Sequence, residues 1–380
     1  MTYLDNAATT MVCREAAEAA FEIMTQGYGN PGSTHKMGRD AKKALDTARA
    51  QVAKAMGASP QEIFFTSCGT EADNWAILSG AELKRRSGKH IISSQAEHGA
   101  VLKSLDLLEA RGFEVTRLAP EKDGSISPEK LESALREDTI LVSLMLVNNE
   151  SGGITDIHAI KELIKKKAGA ALLHTDAVQG FLKVPFSAKT LGADMISVSG
   201  HKIHAPKGVG ALYVRGGEKA LRLSPLIVGG GQENGLRAGT EALPQLVAFG
   251  KAAELGAELF DDAHRKMAEL KALAVSRLTA ENPGLLVLSG EAPHILSISM
   301  PGYKSEVLMN FLEAREIYVS KSSACKRGGR SHVLAAMGLP PAVIDGALRI
   351  GLSRFTEKED IMALCDGISA ARESLFKVLG

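Results

Sequence analysis

Cysteine is scarce in this chain, with four in 380 residues, at positions 13, 68, 325 and 365. No two form a C-x-x-C pair, which leaves out the paired-cysteine metal and redox motifs. So few in so long a chain also exclude a disulfide-stapled scaffold. Each is therefore a small core residue or a single reactive thiol. Long apolar runs are missing as well. The stretch LMLV at 144–147 is typical of the longest, far short of the roughly 20 residues of a membrane-spanning helix. Neither sign of charge is in excess, because 45 basic residues stand against 44 acidic ones and the net charge is +1. No global field draws the chain to nucleic acid or to an anionic membrane. The start, MTYLD, has no basic segment followed by an apolar core, so no secretory signal is read and the default location is cytoplasmic. With 45% hydrophobic and 23% charged residues, the composition is that of a soluble globular protein. The length suits two or three domains, or one large domain with a smaller one.

Strand-like and helix-like segments alternate from about residue 60 to 215. Strands are expected at 63–66, 90–94, 113–118, 140–147 and 170–175. Helices are expected at 70–86, 99–110, 128–136 and 157–167. This alternation predicts an α/β fold with a mostly parallel sheet covered by helices. Ligands in such sheets bind at the carboxyl ends of strands, where several polar clusters fall. A long helical region is expected over 244–280, with Gly250 and Gly256 as weak points. After residue 282 short strands and helices interleave. The division expected is a large domain at 16–255 and a smaller α+β domain at 256–380, against which residues 1–15 pack.

Residues 174–179 read HTDAVQ and residues 199–202 read SGHK. Asp176 ends an apolar strand, where a buried acid calls for a cation; capping of the next helix is an equal reading. Gln179 could donate to a ring oxygen. Lys202 stands beside Ser199 and His201, a hydroxyl and an imidazole able to hold a phosphate. Taken alone, Lys202 could be a surface lysine of a glycine-rich hairpin. A lysine for an aldehyde, an acid for a pyridine nitrogen and donors for a phosphate are the set that pyridoxal 5′-phosphate requires. Residues 66–71, TSCGTE, join a strand to a helix, and Gly69 would let a phosphate approach the free N–H groups there; simple capping is the alternative. His98, just past a strand, could stack on a flat cofactor and exchange protons, or be a structural histidine. Arg349 in an apolar strand-like segment needs an anion: a substrate carboxylate held bidentately, or an internal salt bridge. Residues 320–330, SKSSACKRGGR, place Cys325 among Lys321, Lys326, Arg327 and Arg330. Such cations favour the reactive thiolate, and Gly328 and Gly329 add backbone freedom. An incidental cysteine in a basic turn is the plainer reading. Cys13 and Cys365 read as core. No metal-ligand set is identified.

The motifs YLDNAATT (3–10), GNPGSTH (29–35), FTSCGTEADN (65–74), VNNE (147–150), HTDAVQ, SGHK, GGGQE (229–233) through RAGT (237–240) and SAC (323–325) occur in order. Together they resemble the NifS/IscS-type cysteine desulfurases, in the class-V aminotransferase branch of the fold-type I pyridoxal-phosphate enzymes. The resemblance covers nearly the whole chain. It implies a seven-stranded-type sheet in the large domain and a homodimer with active sites near the interface. It implies Lys202 as the covalent cofactor anchor, Asp176 and Gln179 on the ring, and His98 stacked over it. It assigns Gly69, Thr70, Ser199, His201 and, from the second subunit, Thr240 to the phosphate, with Asn149 as a further cofactor contact. Asn30 and Arg349 match positions that hold the substrate carboxylate, and Cys325 matches the cysteine that becomes a persulfide. The implied reaction converts L-cysteine to L-alanine and passes sulfur to an acceptor protein of iron–sulfur cluster assembly or tRNA thiolation. A selenocysteine lyase or another class-V enzyme is the alternative. Three positions depart from the family pattern. The stretch between Cys325 and Ser331 is short, which reduces reach, Cys68 replaces a usual small residue, and Ala205 replaces a usual glycine.

Overall fold

The computed structural model describes residues 1–321 and 329–377. The chain opens with a two-residue strand, β1 (Thr2–Tyr3). The main sheet then takes seven strands: β2 (Ile63–Thr66), β3 (His90–Ser94), β4 (Glu114–Leu118), β5 (Thr139–Ser143), β6 (Leu172–Asp176), β7 (Met195–Ser199) and β8 (Gly210–Val214). Their order in space is β2-β8-β7-β6-β5-β3-β4. Strand β8 runs antiparallel to both neighbours, and the remaining pairs are parallel. Every residue of β3, β5, β6 and β7 is buried. That is the pattern of strands covered by helices on both faces. From β3 the chain steps outward to β4, then returns past β3 to lay down β5, β6 and β7. This reversal opens a crevice at the carboxyl ends of β3 and β5, where doubly wound sheets bind ligands.

Four early helices matter here: α1 (Arg14–Thr25), α2 (Lys36–Met56), α3 (Gly69–Lys84) and α4 (Gly99–Ala110). Helix α3 lies across the sheet with Trp75 fully buried, its ring edge-on to Phe64 at 5.8 Å and its Nε1 donating to Ser224 O at 2.9 Å. The long helical region expected at 244–280 is two helices, Leu243–Glu258 and Phe260–Glu281, broken at Leu259 rather than at either glycine. The first packs on α1 and α2, and the second on the helix Lys358–Ser374. The break lets consecutive helices serve two different cores. The strand expected over 140–147 stops at Ser143. Beyond it Leu144 N and Leu146 N still bond to His174 O and Asp176 O, but the chain turns away to form the crevice wall.

Four further strands, β9 (Leu286–Val287), β10 (Ile295–Ser299), β12 (Ser320–Lys321) and β13 (Ala347–Gly351), make an antiparallel sheet in the order β12-β13-β10-β9. Strand β11 (Ile317–Tyr318) pairs in parallel with β1. A second hydrophobic core forms around them and includes Leu4, Leu278, Ile298, Leu348, Leu364 and Cys365. Ala7 and Cys13 belong to the first core, so the opening residues run from one core to the other. Among the described residues no helix is long and apolar enough to cross a membrane.

Candidate active site

A cavity of about 840 Å³ opens at the carboxyl ends of the central strands. Gly69, Thr70, His98, Asn149, Asp176, Gln179, Ser199, His201, Lys202 and Arg349 all line it. Asp176 is the last residue of β6 and accepts from Val178 N at 2.9 Å. Burial raises its carboxyl above the usual range, while His98, the Val178 hydrogen bond and Lys202 pull the other way. Lys202 ends the turn Gly200–Lys202 that follows β7, and its Nζ donates to the carbonyl oxygens of Ala7 and Ala8, each at 2.6 Å. The Gln179 amide donates to the same Ala7 oxygen at 2.9 Å. His201 meets Thr9 Oγ1 through Nδ1 at 3.1 Å. Burial, with Lys202 and Lys207 adding to it, pushes its imidazole down to about 4, so the ring is neutral near pH 7. Ala7 and Ala8 thus wall the cavity beside Lys202.

In the same cavity, Gly69 and Thr70 begin the 16-residue helix α3. Their N–H groups have no intrahelical acceptor and carry the positive end of the helix dipole. A Cβ on Gly69 would come within 2.8 Å of Val178 Cγ2 and 3.4 Å of Ser199 Cβ; glycine keeps this approach open. Ser199 Oγ and Asn149 Oδ1 are buried without a hydrogen-bond partner among the described residues. Pyridoxal 5′-phosphate fits this set of residues. The orphaned Ser199 hydroxyl and the helix N-terminus would suit the phosphate, the buried Asp176 the pyridine nitrogen, and Lys202 the aldehyde.

His98 caps α4, where Nδ1 accepts from Ala100 N at 3.2 Å. Arg349, on β13, is almost wholly buried. It donates to Asn149 O at 3.0 Å, Asp5 Oδ1 at 3.1 Å and Ser320 Oγ at 3.0 Å, while its Nε has no partner among the described residues. The internal salt bridge weighed from the sequence is therefore present, on a side chain that also faces the cavity. Asn30 and Thr240 do not line the cavity, and both are exposed. Cys325 lies outside the described residues.

Part of the GGGQE–RAGT segment serves structure. Glu233 takes a bidentate pair from Arg49 at 2.7 Å and a bond from Phe65 N at 3.0 Å, and Arg237 grips Glu71 at 2.8 Å. Three acids at the site went unread in the sequence. Asp73 and Glu150 line the cavity, and Glu97 is buried behind it. Burial lifts Glu97 to about 8 and Glu150 to about 7. Ser331 donates to Glu150, and a ring nitrogen of His332 meets Glu97 O at 3.1 Å. Ser331 and His332 are thereby fastened to the cavity rim.

Known proteins match along nearly the full length. A cysteine desulfurase IscS of Methanosarcina thermophila is 42% identical over 94% of this chain and 89% of its own. A solved NifS-like protein superposes with a TM-score of 0.92 at 38% identity, covering 99% of this chain and all of its own. A structure described as SspA in complex with cysteine gives a TM-score of 0.82 at 32% identity, covering 94% of this chain and all of its own. The pattern of the family described as Aminotransferase class-V matches residues 2–364, and the chain belongs to that family.

Proposed function

We propose that this chain is a pyridoxal-phosphate-dependent cysteine desulfurase, taking sulfur from L-cysteine, releasing L-alanine and carrying the sulfur as a persulfide on Cys325. The observation that carries this reading is the meeting of Asp176, Lys202, Ser199 and the start of α3 in one cavity. The names of the relatives and the cysteine complex of SspA support the substrate.

Asp176 and Gln179 would hold the cofactor ring, with His98 alongside. Gly69, Thr70, Ser199 and His201 would take the phosphate, joined by Thr240 of a second subunit, and Asn149 would add a contact. Lys202 would be the covalent anchor. When bound, the cofactor supplies an electron sink beside the substrate α-carbon. Lys202 Nζ, held at the Ala7 and Ala8 carbonyls, moves the proton of that carbon, and His98 is placed to exchange protons with the substrate. Arg349 and Asn30 hold the substrate carboxylate, with Arg349 sharing its charge between that group and Asp5. The Cys325 thiolate, favoured by its basic neighbours, attacks the substrate sulfur. The S–S bond forms as the C–S bond breaks, and the electron pair left on carbon takes a proton to give alanine.

On this reading residues 16–255 bind the cofactor and residues 256–380 carry Cys325, while of residues 1–15 the first few pack with the smaller part and the rest with the larger. The protein works as a cytoplasmic homodimer. It hands sulfur to an acceptor protein of iron–sulfur assembly or tRNA thiolation, with no direct contact to nucleic acid or membrane. The test is peptide mass spectrometry after L-cysteine treatment without reductant. One sulfur atom is expected on the Cys325 peptide in the wild type and none in Lys202→Ala. No gain, with cofactor bound and the thiol intact, overturns the reading.

A further inference from the structure

Asp73 is almost wholly buried, lines the cavity, and has an Oδ1 with no hydrogen-bond partner among the described residues. Its carboxylate, that of Asp176 and a ring nitrogen of His98 lie within 4.8 Å of one another. For two buried acids this close, the charge of one disfavours the charge of the other. The groups around them decide which one is charged. His98, the Val178 N–H and Lys202 all favour the charged form of Asp176. Asp73 has no comparable support: His174 Nε2 is 3.6 Å from its Oδ1, but that imidazole is held by Ser143 and Ser197 at 2.9 Å and driven by burial down to about 3. Burial first and then the charge of Asp176 push Asp73 well above the usual carboxylate range; Glu97 and Cys68 add to this, and only Ser197 opposes it. A protonated acid is a donor, and the nearby carboxylate able to accept is Asp176.

We propose that Asp73 is a positioning residue that shares one proton with Asp176, holding that carboxylate in place as a singly charged pair toward the cofactor ring. This rests on the reading that Asp176 faces the pyridine nitrogen. The pair carries one negative charge, which matches one pyridinium, whereas two charged acids would repel each other. Sequence spacing agrees, because Asp73 follows Gly69 by one helical turn and so shares its face of α3.

The test uses the full-length protein with carbon-13 in the aspartate carboxyls, followed by NMR against pH with the cofactor removed and then restored. One carboxyl is expected to titrate well above the usual carboxylate range, and its signal should be missing in Asp73→Asn. Cofactor affinity gives a second readout. Asp73→Leu should weaken pyridoxal-phosphate binding about ten- to a hundred-fold, the usual effect of losing a hydrogen bond to a charged group, and Asp73→Asn, still a donor, should restore most of it. The proposal is overturned if both carboxyls titrate within the usual carboxylate range, or if Asn fails as Leu does. Should Asp73→Leu not fold, the titration of wild type against Asp73→Asn decides alone. Neither readout depends on persulfide formation, so its failure and that of the desulfurase reading are distinguishable.

Discussion

Glu97 is fully buried; its Oε1 accepts from Ser94 Oγ at 2.6 Å and from Met145 N at 3.1 Å, while Oε2 finds no partner among the described residues. Burial raises the folded-state value to about 8 from 4.5. A raised acid contributes stability that is full below its unfolded value and is lost as pH rises through the folded one. Glu97 therefore stabilises the fold at pH 4 and progressively less up to about pH 8. Glu97→Gln keeps the acceptor and removes the ionisation. Denaturant unfolding should show the variant gaining on the wild type between pH 5 and pH 9, on the order of 3 to 5 kcal/mol. A constant difference across that range would refute the assignment. Asp176, Lys202 and Ser199 are readable only as a set, because each alone has a plainer use but the acid, the lysine and the hydroxyl together match what one cofactor requires. Glu97, Asp73 and Glu150 were unreadable by the same route: an acid in a sequence is exposed by default, and only the packed structure shows that these three are buried. The one local signal was the helical spacing of Asp73 from Gly69.

At the scale of elements, glycine had two readings and the structure chose between them at Gly250. In the sequence it looks like a weak point in a long helix. In the structure it is where the helix Leu243–Glu258 approaches α2, and a Cβ there would meet Gln51 Oε1 at 2.5 Å and Ala48 Cα at 2.7 Å. Replacing glycine by alanine inside a helix ordinarily gains about 1 kcal/mol. Here the backbone of α2 blocks the methyl group, so Gly250→Ala is expected to cost about 1 to 3 kcal/mol. Thermal or denaturant unfolding checks the sign, and a stabilised variant would mean that the two helices slide apart freely. The end of β5 was illegible for a related reason. The apolar run to Val147 is continuous in sequence, yet Met145 and Val147 face the cavity. Hydrophobicity cannot distinguish a buried strand from a buried cavity wall.

The whole molecule was legible as an α/β architecture, since period and alternation report layers. The strand order and the antiparallel β8 were not legible, because pairing between distant segments leaves no local trace. Long-range contacts also join the first residues to the last third of the chain, as where Leu4 N bonds to Tyr318 O. Several large apolar side chains among the described residues are exposed. Phe21 on α1 is 63% exposed, and Val228 is 79% exposed beside a half-open Leu226 and Ile227. Thr240, assigned to the phosphate of a second subunit, is exposed in the same glycine-rich stretch. A second copy of the chain would bury these side chains and bring Thr240 to the neighbouring cavity in one step. Light scattering on a sizing column should give twice the chain mass at micromolar concentration. Val228→Asp places a charge in that contact and should shift the protein toward monomer, with cofactor lost on dilution as Thr240 is withdrawn. A wild type that runs as a monomer, with cofactor bound, would separate the site from the assembly and leave Thr240 without its role.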